Sequence, residues 1–325
     1  MQVTRRRFLN LTAGTVAVSA GLRSAYAQNY PTHPARILSG FPPGGINDTY
    51  ARLIGQWLSE HLGQQFIIEN RPGAGGNLAA EMVAKAEPDG YTLLLTTSAD
   101  AWNATLYDNL NFGYVRDFTP IATVSRGAGI LVVNPSVADK SLSEFIADAK
   151  ANPGKISMAS AGIGSAPYMF WELFKSMSGI DLVHVPYHGG GPAVVDLLAG
   201  QVQSYFGTFA SSIEHVRAGR LRALAVTSAT RAAVLPDVPA VAEVLPGYEA
   251  SIYVGITAPR GTPNDVITTL SASINQALND PGIKKRIADL GDMTLATSPA
   301  EFGKLVLDET DKWRKVIQKA NIKAE

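Results

Sequence analysis

The chain has 325 residues, 46% of them hydrophobic and 17% charged, with no cysteine and a formal net charge of zero. This is a globular composition with ample apolar material for a core, and the missing cysteine excludes disulfides, thiolate metal sites, a cysteine nucleophile and a lipid anchor on an N-terminal cysteine. Residues 1–27 hold four of the 28 basic residues and no acid, which leaves 24 basic against 28 acidic residues beyond them; so mildly acidic a body gives no support to nucleic-acid binding.

The first 27 residues read as an export signal. Arg5 and Arg6, followed by Phe8 and Leu9, resemble a twin-arginine motif, with Asn10 where lysine is common. An ordinary Sec signal with a basic start is the alternative. Leu11 to Gly21 is apolar and small, too short to span a bilayer, and Ala25-Tyr26-Ala27 fits a signal-peptidase site, so the mature chain is expected to begin near Gln28.

Strands then alternate with helices. Arg36 to Phe41 is a short strand ending in Pro42-Pro43-Gly44-Gly45. A helix follows with Ile46, Tyr50, Leu53, Ile54, Trp57, Leu58 and Leu62 on one face, closed by Gly63. Gln65 to Glu69 is a strand, Asn70 to Gly76 a turn, Asn77 to Ala86 a helix and Tyr91 to Thr97 a buried strand. The rhythm restarts after Ile130-Leu131-Val132-Val133, with helices at 141–150, 167–178 and 192–199 and strands at 155–160, 182–185, 202–206 and 221–226. Ser251 to Ile256 returns the chain to the first unit, and Pro263 to Asn279 and Pro299 to Ala320 are closing amphipathic helices before a charged, frayed tail. The pattern predicts an α/β protein of two units, each with a parallel sheet covered by helices: 28–126 plus 252–325, and 127–251.

Two loops carry the chemistry. Pro42-Pro43-Gly44-Gly45 lies between a strand and a helix. Gly44, Gly45, Ile46 and Asn47 offer consecutive N–H groups at a helix start, where unpaired donors and the helix dipole attract an anion. A plain tight turn with Asn47 or Asp48 as N-cap fits the same letters. Ser160-Ala161-Gly162-Ile163-Gly164-Ser165 repeats the arrangement in the second unit, with Pro167 in the first turn of the next helix. It lacks the third glycine and following acid of a dinucleotide fingerprint, and it is not a Gly-x-Ser-x-Gly elbow. His184 and His188 flank Val185-Pro186-Tyr187, where Pro186 prevents helical spacing and no third ligand is at hand, so no metal is expected; His188 reads as a cleft loop. Trp57, Trp171 and Trp313 read as core or interface. Trp102, placed in a loop, is the better cleft candidate.

In several stretches, nearly end to end, the sequence resembles the Bug-type substrate-binding proteins of tripartite tricarboxylate transporters. They include Gly44-Gly45-Ile46-Asn47-Asp48, Glu69-Asn70-Arg71-Pro72-Gly73-Ala74-Gly75-Gly76 and Pro88-Asp89-Gly90-Tyr91-Thr92-Leu93-Leu94. Asp117-Phe118-Thr119-Pro120, Gly162-Ile163-Gly164-Ser165, His184 to Ala193, Leu221 to Val226 and Leu235-Pro236-Asp237-Val238-Pro239 follow in order. The resemblance implies a two-lobed type II periplasmic-binding-protein fold, with a ligand cleft between lobes joined by hinge strands, and membrane subunits that take the loaded protein. Three positions depart from the family pattern: Tyr168 replaces a usual histidine, Gly207 a usual acid, and Trp102 lies in a segment that is usually small and polar. They tilt the expectation toward a bulkier or longer acid.

The expected ligand-binding set is therefore Phe41, Pro43, Gly44, Gly45, Ile46, Asn47, Asp48, Ser98 and Trp102 from the first lobe. The second lobe adds Ser160, Ala161, Gly162, Gly164, Ser165, Tyr168, His188 and Gly207. Valine at Gly45 or Gly164 should block the ligand without unfolding the chain. The expectation is a monomeric periplasmic protein that captures a small organic carboxylate, with no cofactor, no metal and no catalysed reaction. A ligand-binding subunit signalling to a membrane sensor is the alternative. An exported hydrolase would need a nucleophile motif that the sequence lacks.

Overall fold

The computed structural model describes residues 30–107 and 109–324, so the export signal lies outside the described residues. Two sheets share one strand. In the first, β1 (Ala35–Ser39) pairs in parallel with β2 (Phe66–Asn70) and β3 (Thr92–Thr97), and β9 (Ser251–Pro259) runs antiparallel between β3 and β4 (Phe118–Val133). Strand β4 then continues into the second sheet. Residues 118–128 pair with β9, whereas Gly129 to Val133 pair with β7 (Ser204–Thr208), which leads to β5 (Ser157–Ser160) and β6 (Val183–Pro186). β8 (Arg222–Val226) and the two-residue β10 (Met293–Thr294) also pair with β4.

Helix α1 (Ile46–Leu62) buries Tyr50, Ala51, Leu53, Ile54 and Leu58, the stripe expected from helical spacing, and ends at Gly63 in the left-handed region. α2 (Asn77–Ala84) and α3 (Ser98–Leu106) follow β2 and β3. Between β4 and β8 in chain order come α4 (Leu142–Ala151), α5 (Ala166–Ser178), α6 (Gly190–Leu198) and α7 (Phe209–Arg217); α8 (Asn264–Ala277), α9 (Pro281–Asp289) and α10 (Pro299–Ala320) close the chain. Trp171 and Phe206 centre an aromatic cluster with Phe170, Phe174 and Tyr248 beneath the second sheet, their ring centroids 4.5–6.4 Å apart.

Four expectations change. The sheets are mixed rather than parallel, because β4 and β9 run against their neighbours. The segment after Thr97 is a helix, α3, not a loop, because Thr97 and Asp100 form a capping box there. The strand expected at 130–133 begins twelve residues earlier, at Phe118, since both sheets use it. The tail is docked rather than frayed: Ile322 is buried, and Tyr168 Oη donates to the Lys323 carbonyl at 2.8 Å.

Asp292 sits against the point where β4 passes between sheets. Its Oδ2 accepts from Tyr50 Oη at 2.8 Å and Ser125 Oγ at 3.4 Å. A Cβ on Gly127 would lie 1.8 Å from its Oδ1, so only glycine fits there. Burial pushes the Asp292 carboxyl up to about 7, against the lowering effect of those two hydroxyls. The folded pKa thus exceeds the unfolded one, and the site's contribution to stability is whole below about pH 4 and lost as pH rises through about 7. Asp292→Asn has no proton to lose. In urea titrations at about pH 4.5 and about pH 8, its stability relative to the unsubstituted chain should be higher at the upper pH; an equal gap at both would remove Asp292 as a titrating group.

Candidate functional site

Between the two sheets lies a cleft of ≈ 570 Å³, part of it open to solvent, and none of its fifteen lining residues is charged. The first sheet contributes Phe41, Gly45, Ile46 and Asn47 from the β1–α1 loop, Thr97 and Ala99 from the start of α3, and Ile252. The second contributes Ala161, Ser165, Ala166 and Pro167 from the β5–α5 loop, Gly190, and Tyr205, Thr208 and Ser211 around the β7–α7 junction.

Five helices therefore begin at this cleft, and they divide into two kinds. The starts of α3 and α5 are closed by side chains. At α5, Ser165 Oγ accepts from the Tyr168 N–H at 3.4 Å and donates to the Gly162 carbonyl at 2.6 Å. Ser165 N–H is also spent on Gly162, and Pro167 has no N–H, so little donor capacity remains at that end. Helices α1, α6 and α7, in contrast, have Gly45, Gly189 and Thr208 at their N-caps and no side-chain cap. Their first-turn N–H groups, which in α6 are those of Gly190 and Gly191 because Pro192 has none, are the orphans that every helix start leaves, and each start carries a partial positive charge. One such end comes from the first sheet and two from the second.

Asp48 stands in the first turn of α1 but is turned away from this role. Its carboxylate accepts from Gly44 N–H at 3.1 Å and pairs with Arg52 at 3.0 Å. Burial raises its pKa, yet Arg52, Gly44 and Asn70 together outweigh that and hold it below the usual value. Hydroxyls furnish the rest of the polarity. Thr208 Oγ1 donates to Ser211 Oγ, which donates to the Thr208 carbonyl at 2.9 Å. Burial pushes the Tyr205 phenol up to about 12, with Ser211 beside it, and its Oη lies against the start of α6.

Of the residues expected from sequence, the structure brings Phe41, Gly45, Ile46, Asn47, Ala161 and Ser165 to the cleft wall. The others stand elsewhere for identifiable reasons. Pro43 and Gly44 are on the exposed outer turn, and His188 is exposed. Ser98 Oγ is buried, accepting from Tyr253 N–H at 2.8 Å. Ser160 Oγ lies 2.7 Å from His184 Nε2 and accepts from Gly162 N–H, and burial, with Lys175 adding to it, pushes His184 down to about 4. Gly164 sits beneath α3, and a Cβ on Gly207 would lie 2.4 Å from Ser212 Oγ.

The two rings expected at the ligand are core residues. Trp102 is fully buried, edge-on to Trp313 with centroids 5.0 Å apart, and donates to the Gly164 carbonyl at 2.7 Å. Tyr168 turns its hydroxyl to the tail and its ring to His184. Neither ring therefore stands at the cleft wall to meet a bulky ligand. Sequence reasoning missed Thr208 and Ser211 because α7 went unread; it placed Tyr205 in a strand and Gly190 in the loop after His188 without assigning either to the ligand. Thr208 was the available signal, a residue of N-capping type after an apolar strand.

Comparison with known proteins places this geometry. Residues 50–322 match the model described as the tripartite tricarboxylate transporter family receptor. The structure of the periplasmic binding protein BugD is similar, with a TM-score of 0.87 and 31% identity, covering 90% of this chain and 99% of that one. So is that of Rpa4515 from R. palustris with adipate, with a TM-score of 0.86 and 34% identity, covering 90% of this chain and 98% of that one. MatC from Rhodopseudomonas palustris with bound malate gives 0.85 and 33%, covering 89% of this chain and 100% of that one. The two sheets and their cleft thus form a periplasmic-binding-protein fold.

Proposed function

The chain belongs to the tripartite tricarboxylate transporter receptor family, and we propose that it captures a small organic carboxylate in its cleft and delivers it to membrane transporter subunits without chemical change. The observation that carries this reading is the meeting of three helix starts without side-chain caps, from both sheets, on a cleft that offers no charged side chain. An exposed helix end contributes only about 0.3–1 kcal/mol toward an anion. Two or three such ends brought together around a desolvated carboxylate, each hydrogen bond to the charged group contributing about 1.5–3 kcal/mol, suffice for tight capture. Closure of residues 127–251 on the rest, hinged at β4 and at the return into β9, supplies that desolvation.

Adipate bound to one relative and malate to another support the same ligand class here. The signal-like first 27 residues support export, and no helix among the described residues is long and apolar enough to cross a membrane. Isothermal calorimetry with adipate, malate, aspartate and the uncharged diamide of adipate tests the ligand class. Binding of at least one dicarboxylate, and none of the diamide, is expected. Equal affinity for adipate and its diamide would show that the cleft does not read the carboxylate.

A further inference from the structure

The β5–α5 loop is held from the far side of the molecule. Trp102 Nε1 on α3 donates to the Gly164 carbonyl at 2.7 Å, and Tyr107 Oη, just past the end of α3, donates to the Ile163 carbonyl at 3.2 Å. The β2–α2 turn completes the seat. A Cβ on Gly75 would lie 2.9 Å from Ile163 O, and Asn103 Nδ2 ties that turn to α3 by donating to Gly75 O at 3.1 Å. Gly164, with φ +78°, comes so close that a Cβ would lie 2.7 Å from Asn103 Oδ1. Trp102, Asn103, Tyr107 and Gly75 all precede the passage of β4 between the sheets, and the two loop carbonyls that accept from Trp102 and Tyr107 follow it.

That placement matters because the seated loop runs directly into the cleft wall at Ser165 and Ala166. Hydrogen bonds from one half to the loop of the other can persist only while the halves are together. When they part, two carbonyls and the Trp102 N–H must be resolvated, and the loop loses its fixed position. On the reading of the chain as a receptor that closes around its ligand, we propose that Trp102 and Tyr107 are positioning residues. Through the Gly164 and Ile163 carbonyls they hold the β5–α5 loop onto α3 in the closed cleft, and so set how slowly a captured ligand leaves. Neither touches the ligand.

Tyr107→Phe and Trp102→Phe each remove the donor and keep an aromatic ring; Tyr107→Phe alters packing least. The chain has no cysteine, so Glu60→Cys on α1 and Arg217→Cys on α7, both exposed, take spin labels without background. Pulsed dipolar spectroscopy then reads the distance between halves with and without adipate. The expected result is a shift toward longer separations in both phenylalanine variants. Adipate release in stopped flow should quicken about fivefold for each hydrogen bond removed, while association stays within about twofold. Distances and release rates equal to those of the unsubstituted chain would overturn the proposal. Failure of the unsubstituted chain to bind adipate or malate would count against the carboxylate reading instead, and the ligand-free distances would still decide the role of Trp102 and Tyr107.

Discussion

Gly45→Val should leave a folded protein that no longer holds its ligand. Gly45 is the N-cap of α1 at φ −86° and ψ 177°, a conformation any residue adopts, and a Cβ there would meet nothing closer than Pro42 O at 3.9 Å. The fold has room for the substitution, but the branched side chain would stand at the cleft wall, beside the N–H groups of Ile46 and Asn47. Losing two hydrogen bonds to a carboxylate costs about 3 kcal/mol or more, at least about a hundredfold in affinity. Calorimetry with adipate and malate reads the loss, and the thermal midpoint, within about 2 °C of the unsubstituted chain, reads the intact fold. Retained affinity in the folded variant would move the anion site away from α1. Gly164→Val, which the sequence alone ranks as equivalent, is a different experiment. Its left-handed φ and its contacts of 2.7 Å with Asn103 and 3.1 Å with Tyr107 mean that a side chain there disturbs the seat of the loop itself.

Trp171→Ala should be the most destabilising single truncation in the core under the second sheet. The indole is fully buried, packs within 4.5 Å of Phe206 and 5.8 Å of Phe174 between ring centroids, and donates to the Ala159 carbonyl at 3.1 Å. Truncation leaves a large cavity beneath strand β5, the strand that leads into the cleft loop, and removes the indole's hydrogen bond to it. The expected cost is about 3–5 kcal/mol, a fall in Tm of roughly 6–10 °C at this chain length. Differential scanning calorimetry checks it. A fall under about 2 °C would mean that the cluster collapses around the gap.

Much of the architecture was legible in the letters, and the reasons are local. Helix α1 declared itself by its apolar stripe and its closing glycine, and β3 by an unbroken run of Leu93, Leu94 and Leu95. The cleft was legible where a loop must be glycine-rich because a helix start is left open, as at Gly45. It was misread wherever a side chain is already spent on a partner, near or far in sequence, that the letters do not announce. Ser165 looks like a free hydroxyl until Gly162 and the Tyr168 N–H take it. Trp102 looks like a ligand platform until Trp313, more than two hundred residues on, covers it. The acid missing at Gly207 concerned a position whose Cβ space is filled by Ser212 and Tyr205, so it says nothing about ligand charge.

The place of β9 has a consequence for vectorial synthesis. β9 is the partner of both β3 and β4, and these two do not pair with each other. A ribosome therefore releases β1, β2 and β3 long before the strand that joins them to β4 exists. The strands of the second sheet all lie between residues 129 and 226, so that sheet is complete in the nascent chain while the first still waits for residue 259. The sheet that begins first is finished last, the core under the second sheet waits longer still for Trp313, Ile317 and Ile322, and the two walls of the cleft come together only once translation is nearly over.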